Sequence, residues 1–292
     1  MKPSRDFWIT WGITVTLALV GVILLFTKLA AYGIVIFCIL PTVIGFTTGI
    51  YSRKFLSYLG IITGLLCIFL LLIGAGEGIF CILMALPVVF AFVALGYLLG
   101  FWVKKNRDSS KDSPKVIVLP ILLIILSTIG EKFFAGSEIK NSVSTSLTLP
   151  YPKEIIYKKI IAVDTVDIEK NIFQKMGLPT PRKCILTEEK IGGLRICEFE
   201  EGKIIETIKE LKSGELLRMQ ITSSDITMSW LRFDEDIYTI KANADNTSTI
   251  TRTTTFLSEL KPRFYWNYIE GITIKAEQEF VFRNLEKDLS KK

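Results

Sequence analysis

The chain has 292 residues, half of them hydrophobic, a formal net charge of +6 and no histidine, and its mean hydropathy of +0.42 is high for a protein that lives wholly in water. The missing histidine excludes a Ser-His-Asp triad, a Cys-His pair, histidine-ligated metals and an imidazole proton shuttle. The charge is unevenly placed: residues 1–134 hold eleven Lys or Arg against five acids, whereas the rest of the chain holds 24 of each.

The first half reads as membrane. Phe7 to Phe26, Ala30 to Ile50, Phe55 to Ile73 and Ile79 to Trp102 are apolar runs close to or above the roughly 20 residues a helix needs to cross a bilayer core. A fifth run, Val116 to Ile129, continues through Glu131 and Lys132 to Phe134, and a helix over 115–134 spans if Lys115 and Lys132 snorkel outward. The first run lacks a small-residue cleavage site and is followed almost at once by the second, so it is expected to be retained as a helix rather than cleaved as a signal peptide.

Orientation follows from Lys and Arg in the short loops. The N-terminus, the loop with Arg53 and Lys54, and the loop from Lys104 to Lys115 carry nine; Lys28, Lys132 and Lys140 on the alternate side make three. The N-terminus is therefore expected in the cytoplasm. Five crossings put the C-terminal half outside the cytoplasm, and four would put it inside.

No Asp, Glu, Lys or Arg interrupts the first four spans, which argues against an ion pathway or proton relay. Gly45/Gly49, Gly60/Gly64 and Gly96/Gly100 each set two glycines on one helix face, suited to packing within the bundle or to a homo-oligomer. Pro41, Pro87 and Pro120 are expected to kink their helices. Gly74 to Gly78 lacks the strand and the Lys-Ser/Thr of a phosphate loop and reads as an interhelical turn.

From about Ala135 the chain changes to a mixed α+β domain. Ser142 to Leu149 alternates strictly, with Val143, Thr145, Leu147 and Leu149 on one face, as a half-buried strand does. Glu154 to Ile161 reads as a short helix, and Asp164 to Met176 as a polar, helix-prone segment. Six strand candidates follow at 182–188, 194–200, 203–211, 215–222, 236–242 and 248–257, separated by turns at Gly192-Gly193, Glu201-Gly202, Ser213-Gly214 and Asp245-Asn246. Asp234-Glu235-Asp236 reads as a solvated turn, too sparse for a calcium loop. The last helix, about Tyr265 to Leu289, sets Trp266, Ile269, Ile272, Ala276, Phe280 and Leu285 on its apolar side, with Glu270, Lys275, Glu277, Glu286 and Lys287 toward water. A strand, short helices, a six-stranded meander and a long closing helix describe a helix grip: a curved antiparallel sheet around the last helix, with a cavity between them.

Four segments in this half carry a family resemblance. Ile191 to Gly202 (IGGLRICEFEEG) resembles the "GvGavRxCxFsxG" signature of bacterial START-like proteins, also called SRPBCC or polyketide cyclase/dehydrase-like. Leu149 to Tyr157, Ile172 to Pro179, and Thr249 to Phe256 followed by Leu260-Lys261-Pro262 and Tyr265-Trp266 resemble the flanking motifs of that group in the same order. Tyr157 stands where the group usually has Trp, and the closing helix lacks the histidines common among relatives. The resemblance covers about 142–289 and implies a cavity for a hydrophobic ligand such as a lipid, sterol or polyketide. A reaction is implied less firmly, because only some members of the superfamily are enzymes.

Candidate cavity residues are Arg195, Glu206, Arg232, Tyr238 and Arg252, with Tyr265 and Trp266 at the start of the last helix. An Arg/Glu pair inside the cavity would orient a polar head group, and a desolvated Glu would serve as a base. The alternative is that these are outward strand charges, and that the two aromatics are core anchors. Cys184 and Cys197 lie symmetrically about a hairpin turn at Lys190/Ile191, which suits either a disulfide outside the cytoplasm or two small buried thiols. Cys38, Cys67 and Cys81 read as apolar filler, and without histidine or Cys-x-x-Cys neither a metal nor a cofactor is expected. The neutral second half has no basic stripe, which excludes a nucleic-acid surface.

The expected molecule is thus a multi-pass protein of a bacterial cytoplasmic membrane. Residues 1–134 form its transmembrane domain and 135–292 a START-like domain that binds or presents a hydrophobic molecule, a lipid being the obvious class. The alternatives are a cyclase- or hydratase-type enzyme and a structural or partner-binding protein with a filled cavity.

Overall fold

The computed structural model describes residues 5–27, 33–51, 61, 62, 64–66, 68, 69, 79–106, 115–133, 139–226 and 231–291. Contacts divide the chain into a helical unit, Met1–Ser137 with Glu259–Trp266, and a sheet unit, Glu138–Ser258 with Asn267–Lys292.

The helical unit contains α1 (Arg5–Phe26), a π-helical turn (Val35–Ile39) running into α2 (Leu40–Tyr51), α3 (Ile79–Asn106) and α4 (Lys115–Phe133). Among the described residues, Phe7–Phe26 and Ile79–Lys105 are long and apolar enough to cross a bilayer, while Val35–Ile50 and Leu122–Glu131 are shorter apolar helices. Much of the apolar run expected over 55–73, including Gly60 and Cys67, lies outside the described residues. The widened π turn immediately precedes Pro41, where the ring needs room against the preceding turn and supplies no N–H. Hydroxyls within these apolar helices are satisfied locally: Thr14, Thr42, Thr47, Thr48 and Thr128 each donate to a carbonyl one turn back.

Small residues set the packing of α2 on α3. A Cβ on Gly45 would lie 2.0 Å from the Val93 carbonyl oxygen, and one on Gly96 would lie 2.0 Å from that of Thr42. Gly49 and Gly100 meet Tyr97 and Phe46 in the same way. These two glycine pairs therefore face each other within one chain, and both faces are already occupied without a second copy. Gly45→Leu is expected to separate the two helices and lower the melting temperature of the purified full chain. Gly12→Leu, at a position with nothing within 4 Å of its Cβ, is expected to leave it unchanged.

Glu131, the acid at the end of the fifth apolar run, has a defined role. Its carboxylate accepts the backbone N–H groups of Ile34 at 2.7 Å and Val35 at 3.4 Å. It thus caps the start of the helix leading into α2, where free N–H groups and the helix dipole favour negative charge. A Cβ on Gly33 would overlap this carboxylate.

The sheet unit is one seven-stranded antiparallel sheet in the order β1-β7-β6-β5-β4-β3-β2. Its strands are β1 (Ile139–Leu149), β2 (Pro181–Leu186), β3 (Leu194–Phe199), β4 (Lys203–Lys212), β5 (Leu216–Ser224), β6 (Leu231–Ala242) and β7 (Ser248–Ser258). The short helices α5 (Lys153–Ile161) and α6 (Ile172–Lys175) lie between β1 and β2, and α7 (Arg263–Ser290) closes the chain. The sheet and its closing helix are those expected of an α+β grip.

Alternation decides the faces. Thr145 and Leu149 of β1 point inward, whereas Ser144, Ser146 and Thr148 point outward and bond Thr253, Thr251 and Thr249 of β7 at 2.8, 2.7 and 2.9 Å. The core joins Leu149, Ile156, Ile160, Ile208, Leu217 and Ile250 to Val281, Phe282, Leu285 and Leu289 of α7. Each such side chain contributes about 1.5–3 kcal/mol on removal from water.

Two expectations are corrected. Of the helix-prone stretch 164–176 only Ile172–Lys175 is helical, capped reciprocally by Asn171 and Gln174. The preceding residues are held extended instead, through the Val163–Cys184 bridge and the Val166 N–H bond to the Arg182 carbonyl. β6 begins at Leu231 rather than 236, because a register shift between Phe233 and Glu235 breaks the alternation that would have revealed its first half. Asp236 is consequently an inward strand residue and not part of a solvated turn.

Candidate functional site

The inner face of the sheet carries buried, paired charge. Arg195 on β3 stands directly opposite Glu206 on β4. Their side chains are 2% and 5% exposed and form an ion pair at 2.7 Å. A second Arg195 nitrogen donates to the Ile160 carbonyl of α5 at 3.3 Å.

Two strands further on, Tyr238 opposes Arg252 and Asp236 opposes Thr254 across β6 and β7. Arg252 pairs with Asp236 at 2.7 Å and with Glu277 of α7 at 2.9 Å, while the Thr254 hydroxyl donates to Asp236 at 2.7 Å. The Tyr238 ring links the two halves, with the Arg195 and Arg252 guanidiniums 5.6 and 5.5 Å from its centre, a cation–π arrangement. Gln278 of α7 extends the cluster, accepting from Thr145 and donating to Thr254 and the Val143 carbonyl.

The cluster therefore sets two guanidiniums against three carboxylates. Burial raises the Glu206 carboxyl above its ordinary value despite Arg195, and raises Glu277 despite Arg252. Burial likewise pushes the Tyr238 phenol far up, so it remains neutral.

The folded state thus holds these protons more tightly than the unfolded chain. The stability they contribute is complete below the ordinary value of 4.5 and is lost as pH climbs through the raised folded values. Hydrogen-exchange protection of β3 and β4 is accordingly expected to decline as the pH rises from about 5, and Glu206→Gln is expected to flatten that dependence. Protection that grows over the same range would contradict this assignment.

The structure brings together Arg195, Glu206, Tyr238 and Arg252 of the expected residues. Arg232 is exposed near the start of β6 and lies outside the cluster. Tyr265 and Trp266 belong to the helical unit. The Tyr265 hydroxyl donates to the Met84 carbonyl at 2.5 Å, and the Trp266 ring packs 4.9 Å from Phe37. Asp236, Thr254, Glu277, Gln278 and Thr145 were not anticipated. Glu277 and the buried Glu270 are corrections to a helix face expected to meet water. Asp236 is in phase with Tyr238 and Ile240, which is the signal that could have found it.

Cys184 and Cys197 are paired across β2 and β3 as a disulfide, with Cα atoms 4.0 Å apart. The Cys197 sulfur lies 3.9 Å from the Glu206 carboxylate. Cys38 is a buried free thiol. Among the described residues no group of three acidic or cysteine side chains is placed to hold a metal ion.

Large side chains fill much of the grip: Tyr238, Phe256, Phe280, Leu217 and Met219 are fully buried. A cavity between α5 and α7, lined by Ile160, Val163, Val281, Asn284 and Leu285, has a volume of about 10 Å³, the room of one water. Each carboxylate of the cluster is engaged by a guanidinium, so none stands as a free base.

No family model matches the sequence, and neither does any curated protein. Solved structures with a similar chain trace include a START superfamily protein from Mycobacterium smegmatis (12% identity, TM-score 0.37, 50% of this chain and 95% of that one). Truncated norcoclaurine synthase from Thalictrum flavum is another (11%, TM-score 0.36, 54% and 98%). A structural-genomics protein from Nitrosospira multiformis is a third (11%, TM-score 0.34, 52% and 97%). Each of these matches covers about half of this chain.

Proposed function

We propose that the chain is a multi-pass membrane protein of a bacterial cytoplasmic membrane whose START-like half binds or presents a hydrophobic molecule with a polar head, lipids being the ligand class. The buried charge cluster carries this reading. A core that served stability alone would gain little from two guanidiniums and three carboxylates, because well-packed apolar residues of similar volume usually serve as well or better. Arg195 Nε is buried and has no hydrogen-bond partner among the described residues, and it is the donor assigned to the ligand head group.

The bias of Lys and Arg toward one set of loops supports a cytoplasmic N-terminus. The Cys184–Cys197 disulfide supports an extracytoplasmic sheet unit, since such bonds persist in oxidising compartments.

The test is mass spectrometry of small molecules retained by the full chain, compared with an Arg195→Met variant that keeps its fold. A defined lipid enriched on the wild type and lost from the variant is the expected result. Equal lipid content in the two proteins would reject the reading. A second reading, a partner-binding domain without ligand, is favoured by the filled interior. It predicts that neither protein retains a defined species.

A further inference from the structure

The start of α7 holds an exposed aromatic residue beside two that are packed against apolar helices. Tyr265 is bonded to the backbone of α3 at Met84, and Trp266 is seated on Phe37 in the π turn before α2. Both partners lie near the amino ends of their helices. In the alternating arrangement expected from the sequence, those ends share the extracytoplasmic side. Glu131, near the carboxyl end of α4, meets the same level through its bonds to Ile34 and Val35. Ile34 and Ile79 leave apolar surface exposed at this end.

Phe264 belongs to the same helical unit, next to Tyr265, and is 78% exposed. Tyr268, one turn further along the helix, is exposed as well. Lys261 and Arg263, both half-buried, flank the aromatic residue with positive charge, and one Arg263 nitrogen donates to the Leu260 carbonyl at 3.1 Å. An exposed aromatic ring beside cationic side chains, level with the ends of apolar helices, has the chemistry of the bilayer interface. There aromatic rings sit among the head groups and Lys or Arg meets phosphate.

We propose that the Glu259–Trp266 segment is an interfacial anchor that inserts Phe264 into the extracytoplasmic leaflet. The occupant is the lipid bilayer itself, and the inference rests on the membrane reading of the helical unit.

The experiment uses the full chain in nanodiscs of phosphatidylethanolamine and phosphatidylglycerol, with the photoreactive residue p-benzoylphenylalanine placed singly at three exposed positions. These are Phe264, Leu98 on α3 (63% exposed) and Ile172 in the sheet unit (68% exposed). After irradiation, lipid adducts are counted by mass spectrometry. Positions 98 and 264 are expected to give adducts several-fold more abundant than position 172. Adducts at 98 with none at 264, or a crosslink from 264 to a second protein chain, would overturn the anchor and leave the membrane reading standing. Loss of adducts at both 98 and 264 would overturn both.

Discussion

Replacing Arg252 with alanine is expected to destabilise the sheet unit by about 3–5 kcal/mol, the usual consequence of removing one partner from a buried ion pair. The guanidinium faces Asp236 on β6 and Glu277 on α7 at once, so its loss leaves two carboxylates without their counter-ion. Asp236 would keep only the Thr254 hydroxyl from the present set of donors. Glu277, already raised by burial, would take up a proton more readily still.

The variant should therefore unfold at lower denaturant concentration and lose hydrogen-exchange protection in β6, β7 and the middle of α7. Arg252→Lys is expected to recover part of the loss. An ammonium can meet one carboxylate, but it lacks the planar fork that engages both. Replacing Arg252, Asp236 and Glu277 together with apolar residues of similar volume should cost far less than Arg252→Ala alone. If the triple replacement proved as damaging as the single one, the cluster would be a source of stability and not a feature retained for recognition.

The strands of this domain were legible because their side chains alternate. From Ser142 to Leu149 every second residue is apolar or threonine, and the structure places that series inward as the pattern requires. Glycine and Asn-containing turns marked the hairpins, with Gly192 and Asn246 at positive φ. Arg195, Glu206 and Tyr238 could be singled out because each stands in a strand beside an apolar neighbour, and Arg252 because it is the lone charge in a strand of threonines.

Their partners were hidden for two physical reasons. The bulge between Phe233 and Glu235 shifts the phase of β6, so Asp236 appeared to belong to an acidic turn. On α7 the buried face is wider than its apolar stripe and takes in Glu270 and Gln278, with Glu277 half-buried at its edge. A hydrophobicity pattern assigns such residues to water, because it cannot register a counter-ion arriving from β7. The segment 164–176 failed differently: its helical preference is weak, and pairing with β2 at Val163 and Val166 overrides it.

Removing the disulfide, through Cys184→Ala with Cys197→Ala, is expected to cost about 3 kcal/mol, the chain-entropy value for a loop of about 15 residues. The two cysteines are 13 residues apart and close the β2–β3 hairpin at the edge of the sheet. β2 is one of the two edge strands, so the loss should appear first as faster hydrogen exchange in β2 and β3. It should then spread to β4, because the Cys197 sulfur lies beside the Glu206 carboxylate and two residues from Arg195 along β3.

The same bond reports the compartment. In intact cells that make the full chain, a membrane-impermeant maleimide should leave both cysteines unmodified until a reductant is added. After reduction the label should reach them from outside. A reporter fused after residue 140 that is active only outside the cytoplasm should agree. Free thiols reached only after the cells are opened would place the sheet unit in the cytoplasm, with four crossings in place of five. The stabilisation from the bond would then be absent from the working protein. Topology and energetics are thus joined in the proposed arrangement: the apolar run over 115–134 completes a fifth crossing there, and a hairpin disulfide on the side it reaches would be maintained.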